Sequence, residues 1–405
     1  MKIIFLHDNY SPENLGGASR VVNNLVRGIF TAGHEVSIIT STPNRFDEGE
    51  TLIDGIKIYK IYSNYRPIFR SYFSLYNPLT VGKIKVLINK IKPDIVHAHN
   101  LHYHLSYQAL KIAKDSGAKV FLTAHDAMLF HYGKFVEFIG KNSYKINPWE
   151  QITKYKLEYN PARNLIIRRQ LKNVSKIFAV SDALKKALNQ NGITNVATLY
   201  NGIDINLWHG KENDNKNNYV MFVGKLSGAK GGPQIIAAMK LVKQKIPDVK
   251  LLVVGQKPVD PAILQLEKDG LIEFSGYLSG QTMVKVYYSS SLVVFPSVCL
   301  DTFGMVVLEA MACGKPVVGT CYGGAPEIIV DGLTGWVVDP LNVPLLAEKI
   351  INLLVNEKQA KNFGEQGYKR AVQLFSLQSQ VTNTLRWYGL SIKQNSIKTC
   401  PEKPD

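Results

Sequence analysis

A chain of 405 residues exceeds the roughly 250–300 at which one hydrophobic core stops growing, so two domains are expected. Its 45% hydrophobic and 20% charged residues are ordinary for a globular protein and exclude the collagen-like, low-complexity and disordered classes. The formal net charge of +16 leans to the first half, where residues 1–205 carry 27 Lys and Arg against 15 Asp and Glu. That bias suits an anionic membrane surface, a phosphorylated substrate or nucleic acid, or lysines that are simply solvated.

Lys2–His7 is an apolar run ended by His7 and Asp8, too short for a signal segment, and reads as a buried first strand. The loop that follows, Ser11 to Gly17, lacks the Gly-x-Gly-x-x-Gly spacing of a dinucleotide site, which disfavours a simple dehydrogenase. Helical periodicity over Gly17–Ala32 and a strand at Glu35–Thr40 complete a β-α-β unit. Further strands are predicted at Ile56–Ile61, Ile95–Ala98, Val120–Ala124, Lys176–Val180 and Ala197–Leu199. Between Val120–Ala124 and Lys176–Val180, Gly133 to Gln170 breaks the rhythm with aromatics and Lys154, Lys156, Arg163, Arg168 and Arg169, and reads as a loop leading into one basic helix. The polar stretch Lys211–Asn218 is the natural linker.

The pattern then restarts, with strands at Tyr219–Val223, Lys250–Val254, Ile272–Ser275, Leu292–Phe295 and Pro316–Gly319 and a helix at Gly232–Lys245. An amphipathic helix with Trp387 and Tyr388 is predicted over Leu377–Ile392. Two β-α-β series imply two parallel-sheet α/β domains, at 1–205 and 206–376, with 377–405 a helix expected to pack back on the first domain, and a tail. No apolar run reaches the roughly 18–20 residues of a membrane span. Cys299, Cys313, Cys321 and Cys400 have neither zinc-site spacing nor disulfide-scaffold density, so a cytoplasmic protein is expected.

The chemistry concentrates in residues 295–316. A strand ends at Pro296, a loop runs to Asp301, and a helix is predicted over Thr302–Ala312, closed by Gly314. Ligands of open α/β sheets bind beyond the carboxyl ends of strands, which puts Asp301, Phe303, Gly304 and Glu309 near such an edge, with helix-start amides facing an anion. Alternatively Asp301 is only a helix N-cap and Glu309 a satisfied helix acid. Gly224–Gly232 carries Lys225 and Lys230 between a strand and a helix, where ammonium groups and amides could meet one anionic ligand. Gly323-Gly324-Ala325-Pro326-Glu327 also follows a strand, either for close approach to a ligand or as an ordinary tight turn. His97, His99, His102 and His104 are dense but have no accompanying acids for a metal site.

In order and spacing, eight stretches resemble the retaining glycosyltransferases of family four: the Gly16-Gly17 loop, Gly33-His34-Glu35-Val36, Thr123-Ala124-His125-Asp126, Val180-Ser181-Asp182, Asn201-Gly202-Ile203-Asp204, the lysine loop, the acid pair and Gly323–Glu327. The resemblance covers about residues 1–390 and implies the GT-B fold, two Rossmann-like domains facing across a cleft. It implies transfer of a hexose-type sugar, with retention, from a nucleoside-diphosphate sugar to a glycan, glycolipid or lipid-linked acceptor, as in bacterial cell-surface polysaccharide or glycolipid synthesis. By the same resemblance Lys225 and Lys230 take the diphosphate, Glu309 the ribose, Asp301 the sugar hydroxyls, and His125 a hydrogen bond to donor sugar or acceptor. Gly16, Gly17, Gly224, Phe303, Gly304, Gly323, Gly324 and Ala325 would line the donor site.

No metal or other cofactor is expected, because two lysines serve the diphosphate and no Asp-x-Asp occurs. The expected partners are the nucleotide sugar, the acceptor and an anionic membrane face met by the basic first domain, which implies peripheral attachment on the inner face; nucleic acid is not expected. Two residues depart from the family pattern. Asp301 replaces the usual first Glu, and Lys225 replaces the Arg of Gly-Arg-Leu, losing its bidentate fork. Nucleotide-sugar epimerases and phosphorylases share the fold and are the nearest alternative, with a basic nucleic-acid-binding protein more remote.

Overall fold

Eight strands of the first half form one sheet: β1 (Lys2–His7), β2 (Glu35–Thr42), β3 (Gly49–Ile53), β4 (Ile56–Tyr62), β5 (Ile95–His99), β6 (Lys119–Ala124), β7 (Lys176–Ala179) and β8 (Val196–Thr198). Their order is β3-β4-β2-β1-β5-β6-β7-β8, parallel except for the antiparallel β3. Six more form a parallel sheet in the second half: β9 (Tyr219–Val223), β10 (Lys250–Val254), β11 (Ile272–Gly276), β12 (Leu292–Phe295), β13 (Val317–Thr320) and β14 (Gly335–Val338), ordered β11-β10-β9-β12-β13-β14. This computed structural model describes residues 1–8, 10, 17–134, 136, 143–208, 210 and 218–389. Gly16, nearly all of the predicted linker Lys211–Asn218, and the end of the predicted last helix lie outside the described residues.

Helices cover both faces of each sheet, so the strands are buried on both sides and read as unbroken apolar runs. Ile3 to Leu6 of β1 are each at most 1% exposed. Two strands escaped prediction. β3 is an edge strand whose residues are nearly all exposed, joined to β4 by Asp54-Gly55, both at positive φ as a two-residue hairpin turn requires. β14 is a four-residue edge strand.

Three predicted elements are corrected. The basic segment forms two helices, Pro148–Tyr155 and Arg163–Leu171, because Asn147 and Pro148 start the first and Lys156, at φ 41°, ends it. The helix predicted from Thr302 starts at Met305, since Gly304 sits at φ 100° in a left-handed conformation that a helix cannot include. Asp301 is therefore not its N-cap. The last helix is Leu377–Tyr388, ended by Gly389 at φ 77°.

That last helix lies on the helix Gly17–Thr31 of the first half. A Cβ on Gly28 would stand 2.5 Å from Val381, and Val381, Leu385 and Tyr388 join the core formed with Phe5, Val22 and Phe178. The chain thus passes twice between the two sheets. The passages touch: Ile203 N donates to Phe375 O and Leu377 N to Ile203 O, both at 2.8 Å. Gly202 makes this possible, because a Cβ there would be 2.8 Å from Ser376 O.

Candidate functional site

Strand order reverses direction between β1 and β5 in the first sheet and between β9 and β12 in the second. Crevices open at such points beyond the strands' carboxyl ends. The second crevice is flanked by the loops after β9 and β12, which carry the two lysines and Asp301.

The lysine loop is folded onto the end of β12. Gly231, at φ 75°, lies so close that a Cβ would be 1.9 Å from Pro296 O, and Val298 N and Ser297 Oγ both donate to Ala229 O at 3.1 Å. This docking brings Lys230 Nζ into an ion pair with Asp301 Oδ2. Burial disfavours the Lys230 ammonium, but the adjoining Asp301 carboxylate outweighs it and holds the pKa above its ordinary value. Lys225 is exposed, and its ammonium has no partner among the described residues. The loop therefore presents one cation already paired and one open. Gly224, at φ 129°, turns the chain out of β9.

Asp301 is held from the other side by the Gly-Gly turn. Gly324 N donates to Asp301 O at 2.9 Å, and Cβ atoms on Gly323 and Gly324 would lie 2.2 Å from Asp301 O and 2.7 Å from Thr302 O. The close approach that these glycines permit is thus to the backbone of the acid loop. Ala325 is fully buried at the start of the short helix Ala325–Ile328. The Phe303 ring is buried against Tyr200 and Phe375, with centroids 6.2 and 6.1 Å away, so the ring packs between elements while Gly304 reverses the chain into the helix.

Glu309 lies on the second turn of the helix Met305–Ala312 and is 4% exposed. Arg20 Nη1 donates to its Oε1 at 2.7 Å and Tyr287 Oη to its Oε2 at 2.9 Å. Burial raises the Glu309 pKa, opposed by Arg20 and by the Tyr287 hydrogen bond. Arg20 belongs to the helix Gly17–Thr31, so the ion pair spans the two halves. Gly17 itself is exposed at that helix's first position, and a Cβ there would meet nothing within 4 Å.

The first half meets the acid loop at the end of β6. Thr302 Oγ1 donates to His125 O at 2.6 Å, and Leu300 N to Val136 O at 2.9 Å. Glu327 reaches back across, accepting from Asp182 N at 2.7 Å and Ala183 N at 2.8 Å, and so caps the helix Asp182–Gln190. Burial lowers the His125 pKa to about 3, which leaves a neutral imidazole. Its Nε2 lies 2.9 Å from His99 Nδ1.

The dense histidine run disperses into separate bonds. His97 pairs with Tyr388 Oη at 2.6 Å and Thr123 Oγ1 at 2.7 Å, His102 with Tyr107 Oη at 2.6 Å, and His104 with Ser63 Oγ at 2.9 Å. Buried Asp8 accepts from the backbone of Tyr103, His104 and Leu105, which fixes that loop. Among the described residues no group of three or more His, Cys, Asp or Glu is placed to hold a metal ion. Arg163, assigned to the basic cluster, is buried instead, donating to Met128 O with its guanidinium 4.8 Å from the Tyr132 ring centroid.

The structure thus gathers Lys230, Asp301, Gly323 and Gly324 into one cluster and brings His125 to it through Thr302. Arg20, Tyr287, Glu327 and His99 join the site without having been assigned roles from the sequence. Arg20 had a signal, a cation three residues past Gly17 at a helix start. Tyr287 had none, since its spacing in the helix Gly280–Ser289 reads as core.

Residues 15–207 match the Glycosyltransferase Family 4 profile and residues 204–370 the profile of glycosyl transferases group 1. An uncharacterized glycosyltransferase of Methanocaldococcus jannaschii is 28% identical over 369 residues, covering 86% of this chain and 87% of that protein. The N-acetyl-alpha-D-glucosaminyl L-malate synthase of Bacillus anthracis is 25% identical over 378 residues, covering 89% and 91%. Among solved structures, sucrose-phosphate synthase from Thermosynechococcus elongatus superposes with a TM-score of 0.73 at 18% identity, covering 96% of this chain and 98% of that one. Anabaena HepE in complex with UDP-glucose superposes with a TM-score of 0.68 at 22% identity, covering 96% and 100%. Likeness at such identities carries the fold, and two profiles that meet at residues 204–207 carry the family: the chain is a GT-B glycosyltransferase, family-four-like in its first half and of the group 1 type in its second.

Proposed function

We propose that this enzyme moves a hexose-type sugar from a nucleoside-diphosphate sugar to a glycan, glycolipid or lipid-linked acceptor, retaining the anomeric configuration and using no divalent metal. The supporting observation is the lysine loop docked on the acid loop at the β9/β12 crevice, with Lys230 paired to Asp301 and Lys225 open. Cleavage of a glycosyl phosphate builds negative charge on the leaving diphosphate, and cations fixed beforehand stabilise it without reorganising. Lys225 and Lys230 fill that role. Asp301 holds Lys230 and offers its other oxygen to a sugar hydroxyl. Each oxygen of Glu309 has a second acceptor position, which suits a ribose diol. HepE, crystallised with UDP-glucose, makes that the first donor to try.

We assign the acceptor to the first domain, with peripheral attachment to the inner face of an anionic membrane. No described helix is long and apolar enough to cross one. Trp149, Leu157 and Leu165 are 73%, 80% and 71% exposed, and Lys154, Lys156, Arg168 and Arg169 are exposed on the same two helices and the turn between them. Apolar anchors interleaved with cations fit a headgroup layer.

The test measures nucleoside diphosphate released from a panel of nucleotide sugars, with and without acceptor and EDTA, and the anomeric configuration of the product by NMR. Acceptor-dependent release that survives EDTA, with retention, is expected. Complete loss in EDTA with rescue by magnesium or manganese contradicts the lysine-based electrostatics, and conversion of the donor without acceptor favours an epimerase.

A further inference from the structure

His99 ends β5 and His125 follows β6, the neighbouring parallel strand. Their rings stack with centroids 5.2 Å apart, and His99 Nδ1 lies 2.9 Å from His125 Nε2. Two neutral imidazoles share such a bond only when one of the facing nitrogens carries a proton and the other does not. The tautomers of the two rings are therefore tied together.

The rest of His99's surroundings decides which ring donates. One neighbour is Phe5, stacked at 5.7 Å, and another is His97 at 4.1 Å. His99 Nε2 is buried and has no hydrogen-bond partner among the described residues. If His125 were the donor, the His99 proton would sit on Nε2, an N–H sealed among rings, and orphaned buried N–H groups are rare in native proteins. With the proton on Nδ1 the N–H is used, and only a lone pair is left bare. Asp126, next in sequence to His125, does not orient that ring. Its carboxylate accepts from Met128 N and lies 3.1 Å from His102 Nε2. Burial keeps both rings uncharged, with His125 lowered to about 3 and His99 well below its ordinary value.

We infer that His99 is a positioning residue of the site: its Nδ1–H donates to His125 Nε2, fixing the His125 proton on Nδ1, so that His125 meets substrate as a hydrogen-bond donor and not as a general base. Nδ1 of His125 has no partner among the described residues, and a substrate oxygen completes its bonding. This rests on the reading of the cleft as a sugar-transfer site and names the direction of one bond in it.

The experiment uses the whole protein labelled with 15N at histidine. Two-dimensional 15N–1H spectra, with the His125 signals assigned by their loss in His125→Gln, should show Nδ1 protonated and Nε2 bare. In His99→Phe, which fills the pocket but cannot donate, the preference should vanish and kcat/KM for the nucleotide sugar should fall about tenfold to a hundredfold, the scale typical of removing the group that orients a ligand histidine. His99→Asn, which restores a donor, should recover part of it. A wild-type His125 protonated on Nε2 overturns the inference, as does a folded His99→Phe enzyme with undiminished kcat/KM. The wild-type spectrum needs no substrate, so failure of the transfer reading would show separately, as absent turnover with the tautomer in place.

Discussion

Asp301 and Glu309 stand eight residues apart yet meet different surroundings, and their substitutions should separate cleanly. Glu309→Ala removes the acceptor proposed for ribose and leaves Arg20 unpaired, so nucleoside diphosphate binding should weaken by about 1.5–3 kcal/mol, as for a hydrogen bond to a charged group. Asp301→Ala should barely change that binding while turnover falls sharply. Calorimetry with the diphosphate beside turnover of the full donor measures both; unchanged turnover in Asp301→Ala would remove it from the site. Asp301→Glu pushes a longer side chain against Lys230 and should cost about a hundredfold, the scale of an angstrom's misplacement. Lys230→Ala removes a fixed cation from the leaving group and should lower kcat about 10²–10³-fold. A loss under threefold would put the charge stabilisation elsewhere. These residues were legible because each sits in a short contiguous motif. Arg20 was not, since its partner is 289 positions away, and Glu327 was visible only as the end of a turn motif because the amides it caps lie 144 and 145 positions off.

At the level of elements, legibility followed burial. Strands covered on both faces announce themselves as apolar runs, and β9, β10 and β12 have the bounds that periodicity predicts. The edge strand β3 has no such run, and its mark in the sequence is the Asp54-Gly55 hairpin turn beside it. The acid-loop helix begins three residues later than its apolar pattern predicts, because a left-handed glycine is silent in that pattern. The basic segment differs for another reason: a sum of charges does not say which cations are buried, and Arg163 is. The exposed remainder still makes a testable element. Sedimentation with anionic vesicles should fall as salt rises, since screening acts over about 10 Å at 0.1 M, and should fall again in Trp149→Ala/Leu157→Ala. Equal binding to neutral and anionic vesicles would contradict the docking.

For the whole molecule, the buried histidines set an acid limit. Burial lowers His7 to about 4 and His97 and His125 to about 3, against an ordinary value of 6.5. Each stays neutral in the native state while its unfolded counterpart takes a proton. The stability each contributes is therefore complete above pH 6.5 and is lost as pH falls toward the native values, at up to about 1.4 kcal/mol per pH unit. Glu309, raised from 4.5, works the other way, its contribution present at low pH and lost as pH rises through its native value. The histidines outnumber it, so the melting temperature should drop by several degrees between pH 7.5 and 5.5. A level profile over that range would mean that the rings are hydrated.

The helix Leu377–Tyr388 has a consequence for how the protein is made. Its Val381, Leu385 and Tyr388 complete the core around Phe5 and Phe178, and Tyr388 Oη is the hydrogen-bond partner of His97 Nδ1. On the ribosome, the first domain emerges with that face still open. It waits through the synthesis of some 170 further residues, the whole second sheet among them, before the segment that closes it is translated. The domain translated first is thus the last to be finished, and a nascent chain stalled before residue 377 leaves an apolar scar beside the helix Gly17–Thr31 for chaperones to cover.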